Sequence, residues 1–378
     1  MAIYLDHAAA TPIDADVLAA MQPFFVDQFY NPSALYGPAV AAAKALETAR
    51  ADCAQVIGAK PSEIIFTAGG TEANNLAIHG VMRNNPDAIL ALSAIEHDSV
   101  RVPAARYQTV TIPVTNQGVV DYTSLSSKIN NSVVLVSVMY ANNEVGTVQP
   151  IRRIAGELEV IRKARQQAGN PLPLYFHVDA AQAGNYLDLH VHRLGVDLLT
   201  INGGKLYGPK QSGLLYIRSG VSLQPLVEGG GQERNLRSGT ENVAQAAGLA
   251  KSLQIAVAKR HDENKRQQAL QVMFIDTLTT AFPQAIINGS LKQRLPNNVH
   301  LTLPGTDNER LLMALDIHDI YAAAGSACSA SHDEPSHVLQ AMGFDVSYIQ
   351  SSVRFSTGRS TTVEEIEQTV QILRQILD

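Results

Sequence analysis

The chain has 378 residues, a length suited to two or three domains. Hydrophobic side chains make up 46% and charged ones 17%, enough apolar material for a large core, and the formal net charge is −6. With no basic run, no zinc-type cysteine spacing and no RNA-binding signature, nucleic acid is not an expected partner.

Read in chain order, the start "MAIYLDHAAATP" lacks the basic segment and apolar stretch of a secretory signal. The alanine-rich "PAVAAAKALETARADCAQVIG" carries Lys44, Glu47, Arg50 and Asp52, too many charges for a membrane span. Its Cys53 sits on a helical pattern and reads as packing. Cys53 and Cys328 are the two cysteines, too few for a disulfide framework, so a cytoplasmic, reducing setting is expected. Candidate strands follow at 63–67, 88–93, 110–114, 133–139, 174–179, 197–201 and 213–217, with helical patterns such as "TEANNLAIHGVM" and "IRRIAGELEVIRKARQQ" between them. Continuously apolar strands suit a mostly parallel sheet buried on both faces. From about residue 241 a long helical segment precedes strands "NNVHLTL" and "SSVRFS" and a final helix "TVEEIEQTVQILRQIL". The expected fold is α/β: a large domain over 13–255 with a mostly parallel seven-stranded sheet, and a smaller α+β domain formed by 1–12 and 256–378.

Ligands of open α/β sheets bind beyond the carboxyl ends of the strands. After 63–67 stands "AGGTEANN", where Gly69 and Gly70 free the backbone and Thr71 is a helix N-cap candidate, together a seat for phosphate. His97 of "SAIEHDSV" falls at an expected helix start. Asn143 of "YANNEVG" offers an amide, and Asp179 of "VDAAQAG" ends a very apolar strand with Gln182 three residues on. A carboxylate there needs a cation or donors. The next strand runs into "INGGKLYGPK". Lys205 does not belong to a nucleotide-binding P-loop, because Leu206 follows it where Ser or Thr is required. A lysine, a buried aspartate and an anion seat on neighbouring strand ends are what pyridoxal 5′-phosphate needs: an amine for its carbonyl, an anion beside its pyridine nitrogen and a phosphate site.

On "YLDHAAATP", "EIIFTAGGTEANNLAI", "IEHDSV", "NNEVGTVQPI", "HVDAAQ", "GGKLYGPKQSGLLY", "GGGQERNLRSGTENV", "AAGSACSA" and "SSVRFSTGR", the chain resembles the cysteine desulfurases, within the class V aminotransferase-like enzymes of fold type I. The resemblance runs through nearly the whole chain. It implies a homodimer that converts L-cysteine to L-alanine and supplies sulfur to acceptor or iron–sulfur scaffold proteins, or to tRNA thiolation. It makes Lys205 the Schiff-base lysine, Asp179 the partner of the pyridine nitrogen, and Gln182 a contact of the ring hydroxyl. His97 stacks on the ring and helps move protons. Gly70, Thr71 and Asn202 hold the phosphate, with Thr240 of "RSGT" lent by a second subunit. Asn143 and Arg354 bind the substrate carboxylate, a task suited to a planar guanidinium. Cys328, in a Gly-, Ser- and Ala-rich stretch that reads as a loop, takes the sulfur as a persulfide, with His97 as the candidate acceptor of its proton.

The chain departs from the family pattern where Asn202-Gly203-Gly204-Lys205 replaces the usual Ser-x-His-Lys, and where Tyr36 replaces a usual histidine. Asn202 still offers an amide donor, whereas Gly204 cannot replace an imidazole. The alternatives are a selenocysteine lyase or aminotransferase of the same fold, which for the aminotransferase would leave Cys328 without a use, or a non-catalytic partner protein that has lost the cofactor.

Overall fold

The structure is a computed structural model that describes residues 2–325 and 335–377. A two-residue strand, β1 (Ile3–Tyr4), opens the chain. Seven strands then build one sheet: β2 (Ile64–Thr67), β3 (Ile89–Ser93), β4 (Gln108–Ile112), β5 (Val133–Ser137), β6 (Tyr175–Asp179), β7 (Leu198–Asn202) and β8 (Gly213–Ile217). Their order is β2-β8-β7-β6-β5-β3-β4, and β8 alone runs antiparallel to its neighbours.

All seven expected strands form, with one shifted. The run at 110–114 pairs instead over 108–112, because Pro113 has no N–H to give a ladder and ends β4 at Ile112. Every residue of β5 is buried, as a central parallel strand between helical layers requires. Alternate residues feed opposite faces: Leu199, Ile201, Leu214 and Tyr216 join one core cluster, while Leu198, Leu215 and Ile217 join another. The first face is covered by the helices Gly37–Ile57 and Val243–Ala281, which meet through Ala42, Ala49, Ala246 and Ala250. The second is covered by Gly70–Asn84.

The 39-residue helix Val243–Ala281 is about 58 Å long at the α-helical rise. Its second half turns Leu270, Phe274 and Leu278 into a separate core. There β9 (Ile286–Ile287) and β10 (Asn298–Thr302) pair antiparallel, β11 (Ile320–Tyr321) takes β1 as a parallel neighbour, and β12 (Ser352–Ser356) completes a three-stranded sheet with β10 and β9. The amphipathic helix Val363–Leu377 closes this core with Ile366, Val370 and Leu373. Ile3 and Leu5, brought back by β1, pack among the same side chains. Among the described residues no helix is long and apolar enough to cross a membrane.

His177 in β6 is wholly buried between the hydroxyls of Ser137 (2.8 Å) and Thr200 (3.1 Å). Burial pushes its imidazole down to about 4. The folded state therefore resists a proton that the unfolded chain accepts near pH 6.5, so its contribution, complete above that pH, is lost as pH falls toward 4. The melting temperature should drop over this window, and less steeply in His177→Gln, which keeps a polar group and does not titrate. Equal slopes in the two proteins would remove His177 as a cause.

Candidate active site

A cleft of about 360 Å³ opens at the carboxyl ends of β2, β3, β5, β6 and β7. Its walls include Gly70, Thr71, His97, Asn143, Asp179, Gln182, Asn202 and Lys205, so eight of the residues singled out in the sequence meet in one place.

The anion seat differs in detail from expectation. The turn after β2 puts Gly69 at φ 128°, a left-handed conformation that glycine takes without strain, and Gly69 rather than Thr71 is the N-cap. The helix begins at Gly70, leaving Thr71 in its first turn. A Cβ on Gly70 would stand 3.2 Å from Cβ of Asn202, so the bare glycine lets the helix start pack against the end of β7. Asn202 Oδ1 accepts from Gly204 N–H at 3.1 Å, which holds the amide in one orientation.

Asp179 is buried, and its charge is met by two donors. Oδ1 accepts from Ala181 N–H (2.9 Å) and Oδ2 from Asn74 Nδ2 (2.7 Å). Asn74 was not singled out in the sequence. The signal was its place four residues beyond Gly70 on one helix face, which carries it below the anion seat. Asn74 Nδ2 also donates to Ser99 Oγ (2.8 Å), which in turn lies 2.8 Å from His97 Nδ1. His97 caps the helix Asp98–Ala104, its Nδ1 accepting from Ser99 N–H at 3.1 Å. Burial, then the charge of Lys205, push His97 below the usual imidazole range, against the pull of Asp179 and Asp98.

Lys205 closes the short turn Gly203–Lys205 after β7, and its carbonyl accepts from Asn185 Nδ2 at 2.8 Å. Two residues on, Tyr207 takes φ 57°, a strained value for a non-glycine. Its neighbours over-determine it: Thr11 Oγ1 accepts from its N–H (2.8 Å), Asp14 N–H donates to its carbonyl (2.9 Å), and Arg359 N–H donates to its hydroxyl (2.7 Å). The Arg359 guanidinium lies 4.0 Å over its ring.

Gln182 lines the cleft while its Nε2 donates to Ala8 carbonyl at 2.9 Å. Arg354, on β12, is buried behind Asn143. It donates to the Asn143 carbonyl (2.9 Å) and pairs with Asp6 (2.5 Å), while among the described residues its Nε has no hydrogen-bond partner. Thr240 is exposed beside a separate hollow of about 790 Å³ that it shares with Arg237, Asn242 and Gln245. Cys328 lies outside the described residues. Cys53 is wholly buried and its thiol is pushed up by burial, as packing requires.

Glu96 was also missed. It is wholly buried, with Oε1 accepting from Ser93 Oγ (2.7 Å) and Met139 N–H (2.7 Å) and Oε2 without a hydrogen-bond partner among the described residues. Burial pushes its carboxyl up to about 8, with Asp179 acting in the same direction. The raised folded value means that its contribution is complete below about pH 4.5 and is lost as pH rises through 8. Glu96→Gln, which carries no proton to lose, should therefore gain in melting temperature over wild type between pH 5 and pH 8. A constant difference across that range would show that Glu96 is ionised throughout.

A seven-stranded, mostly parallel sheet with a lysine, an aspartate and an anion seat at its strand ends defines the fold of the pyridoxal-phosphate enzymes of fold type I. The family model described as aminotransferase class-V matches residues 3–369. The chain is 38% identical over 383 residues to the cysteine desulfurase IscS of Dictyoglomus turgidum, covering 100% of this chain and 94% of that one. It is 39% identical over 383 residues to the cysteine desulfurase IscS of Methanosarcina thermophila, covering 100% and 92%. A solved NifS-like protein from Rickettsia africae superposes with a TM-score of 0.88 at 31% identity, with both chains fully covered. The chain belongs to the class-V aminotransferase family, among the cysteine desulfurases.

Proposed function

We propose that this chain is a pyridoxal-phosphate-dependent cysteine desulfurase that converts L-cysteine to L-alanine, stores the sulfur on Cys328 and passes it to acceptor or iron–sulfur scaffold proteins. The observation that carries the reading is the meeting of Lys205, Asp179 and the start of the helix Gly70–Asn84 around one cleft, in a chain that aligns end to end with cysteine desulfurases.

The residues present fit the cofactor. A glycine without Cβ, a threonine hydroxyl, an oriented amide and free helix N–H groups suit a dianion, and a buried carboxylate suits a ring cation. Gly70, Thr71 and Asn202 would hold the phosphate, Asp179 the pyridine nitrogen, Gln182 the ring hydroxyl and Lys205 the carbonyl carbon. When bound, pyridoxal phosphate supplies an electron sink for negative charge on the substrate Cα. The Lys205 amine would take the Cα proton and later return one. Asn143 and Arg354 would bind the substrate carboxylate, a reading supported by the Arg354 Nε, which has no hydrogen-bond partner among the described residues. The Cys328 thiolate attacks the sulfur of substrate cysteine. An S–S bond forms, the C–S bond breaks with its electron pair left on carbon, and protonation there gives alanine beside a Cys328 persulfide. Thr240, which is exposed and lines a separate hollow, would complete the phosphate site of a second copy in a homodimer, and a cytoplasmic setting suits a thiol-dependent reaction.

The test is an absorption spectrum of purified protein before and after L-cysteine, followed by peptide mass spectrometry. Added sulfur is expected on the peptide that contains Cys328. Lys205→Ala should yield no alanine, and Cys328→Ala should keep the cofactor yet transfer no sulfur. Sulfur on Cys53, alanine from Lys205→Ala, or amino transfer to a keto acid would overturn the reading.

Gly204 stands where relatives carry a phosphate-binding imidazole. Its φ lies outside the left-handed region, and a Cβ there would meet Asn202 Oδ1 at 3.5 Å and Lys210 at 3.7 Å, ordinary contact distances. Histidine therefore fits without backbone strain. A hydrogen bond to a charged group contributes roughly 1.5–3 kcal/mol, so Gly204→His should tighten cofactor binding by about ten- to a hundred-fold in a titration of apo-protein. Equal affinities would show that Asn202 and the Gly203 and Gly204 amides already make up the contact.

A further inference from the structure

We propose that Gln232, anchored by the buried Arg50–Glu233 ion pair, is a positioning residue that acts in trans: it holds Thr240 ready for the cofactor phosphate of a second copy and does not serve the cleft of its own chain. The inference rests on the proposed function for the dimer and for what Thr240 meets; the hold itself is read from the bonds.

β2 lies at the edge of the seven-stranded sheet, and an edge strand leaves polar backbone groups open. Arg50 and the segment 231–240 close two of them. Glu233 Oε2 accepts from Phe66 N–H at 2.8 Å, and the Ile64 carbonyl accepts from Arg50 Nη1 (3.0 Å) and Arg234 Nη1 (2.8 Å). Arg50 and Glu233 form a two-pronged pair with both contacts at 2.7 Å, and both side chains are almost wholly buried. Around that carboxylate Glu233, Arg234 and Asn235 take φ of 43°, 58° and 63°, three consecutive non-glycine residues in the left-handed region. Such strain persists only where the surroundings over-determine it, and it gathers at functional positions. Yet none of these residues lines the cleft of Lys205.

From the ion pair the hold passes along the turn to Thr240. Gln232, next to Glu233, accepts from Gly239 N–H at 2.9 Å, and Gly239 sits at φ 109°, a conformation that favours glycine. Ser238 Oγ accepts from Gly231 N–H at 3.2 Å, and Ser238 N–H donates to the Val227 carbonyl at 3.0 Å, so the turn is also tied at its base. Thr240 follows directly and is exposed beside the hollow it lines. A residue so placed, fixed behind and open in front, is preorganised for a contact outside its own chain. A second link runs toward the chain's own site: Arg237 pairs with Glu72 at 2.8 Å, in the first turn of the helix that forms the anion seat. The two routes give opposite results in a mixed dimer.

The experiment pairs differently tagged copies, strips them of cofactor and titrates them with pyridoxal phosphate. It reads the absorbance of lysine-bound cofactor, which only a copy with Lys205 can give. When one copy carries Lys205→Ala and the other Gln232→Ala, the reporting cleft belongs to the second copy and borrows Thr240 from the first. Wild-type affinity is expected there. When one copy is wild type and the other carries both changes, the reporting cleft is intact but borrows from the altered copy. Its affinity should fall about ten-fold, the scale of one hydrogen bond to a charged group. Adding Thr240→Val to that altered copy should cost nothing further, because both changes act on one contact. The reverse pattern, an equal loss in both dimers, or no loss in either would overturn the inference. Cofactor binding by a monomer would overturn it too, yet leave the Lys205 chemistry standing. The trans pattern in a protein that makes no alanine would refute the proposed function alone.

Discussion

Asp179 sits at the carboxyl end of β6, where burial leaves little room for water around its charge and neighbouring segments supply donors. One comes from the backbone at Ala181 and the other from Asn74 on the helix after β2. That second bond orders much of the cleft. It ties the strand that would hold the ring nitrogen to the helix that would hold the phosphate. Through Ser99 it also reaches the residue that caps the helix after β3. Removing the charge would release the Asn74 amide, and with it the orientation of groups on three separate crossover connections.

The other support comes from chain segments far away in sequence. Asp6 pairs with Arg354 across 348 positions, Ala8 accepts from Gln182, and Thr11 and Asp14 grip the backbone of Tyr207. Residues 3–14 thus tie the segments that bear Gln182 and Tyr207 to the strand that bears Arg354. Arg359 closes the arrangement from the C-terminal side, over the Tyr207 ring and against Asp14. Lys205 stands two residues from a strained position that both ends of the chain hold in place.

Much of this was legible before any coordinates. Strands such as β5 and β7 are uninterrupted apolar runs, so their existence and their burial on two faces follow from composition alone. The ends were less clear: Pro113 trims β4, and a glycine at φ 128° takes the cap that Thr71 was expected to supply. The lysine, the aspartate and the anion seat could be found because each follows a strand. Asn74, Ser99 and Glu96 could not, since an asparagine inside a helix or a glutamate beside a turn looks like any solvated residue until the fold buries it. Arg354 was legible as a candidate carboxylate-binding arginine, but its partner Asp6 was not, because nothing local links the two.

The packing of Ile3 and Leu5 against Phe274 and Phe355 has a temporal side. A ribosome delivers those two residues long before their aromatic neighbours. At about 5–20 residues per second, on the order of twenty to seventy seconds separate them. The central sheet, complete by Ile217, can assemble during that interval. The opening segment cannot, and it waits with its apolar side chains uncovered. Chaperones that bind short apolar stretches would find it there until the smaller core closes.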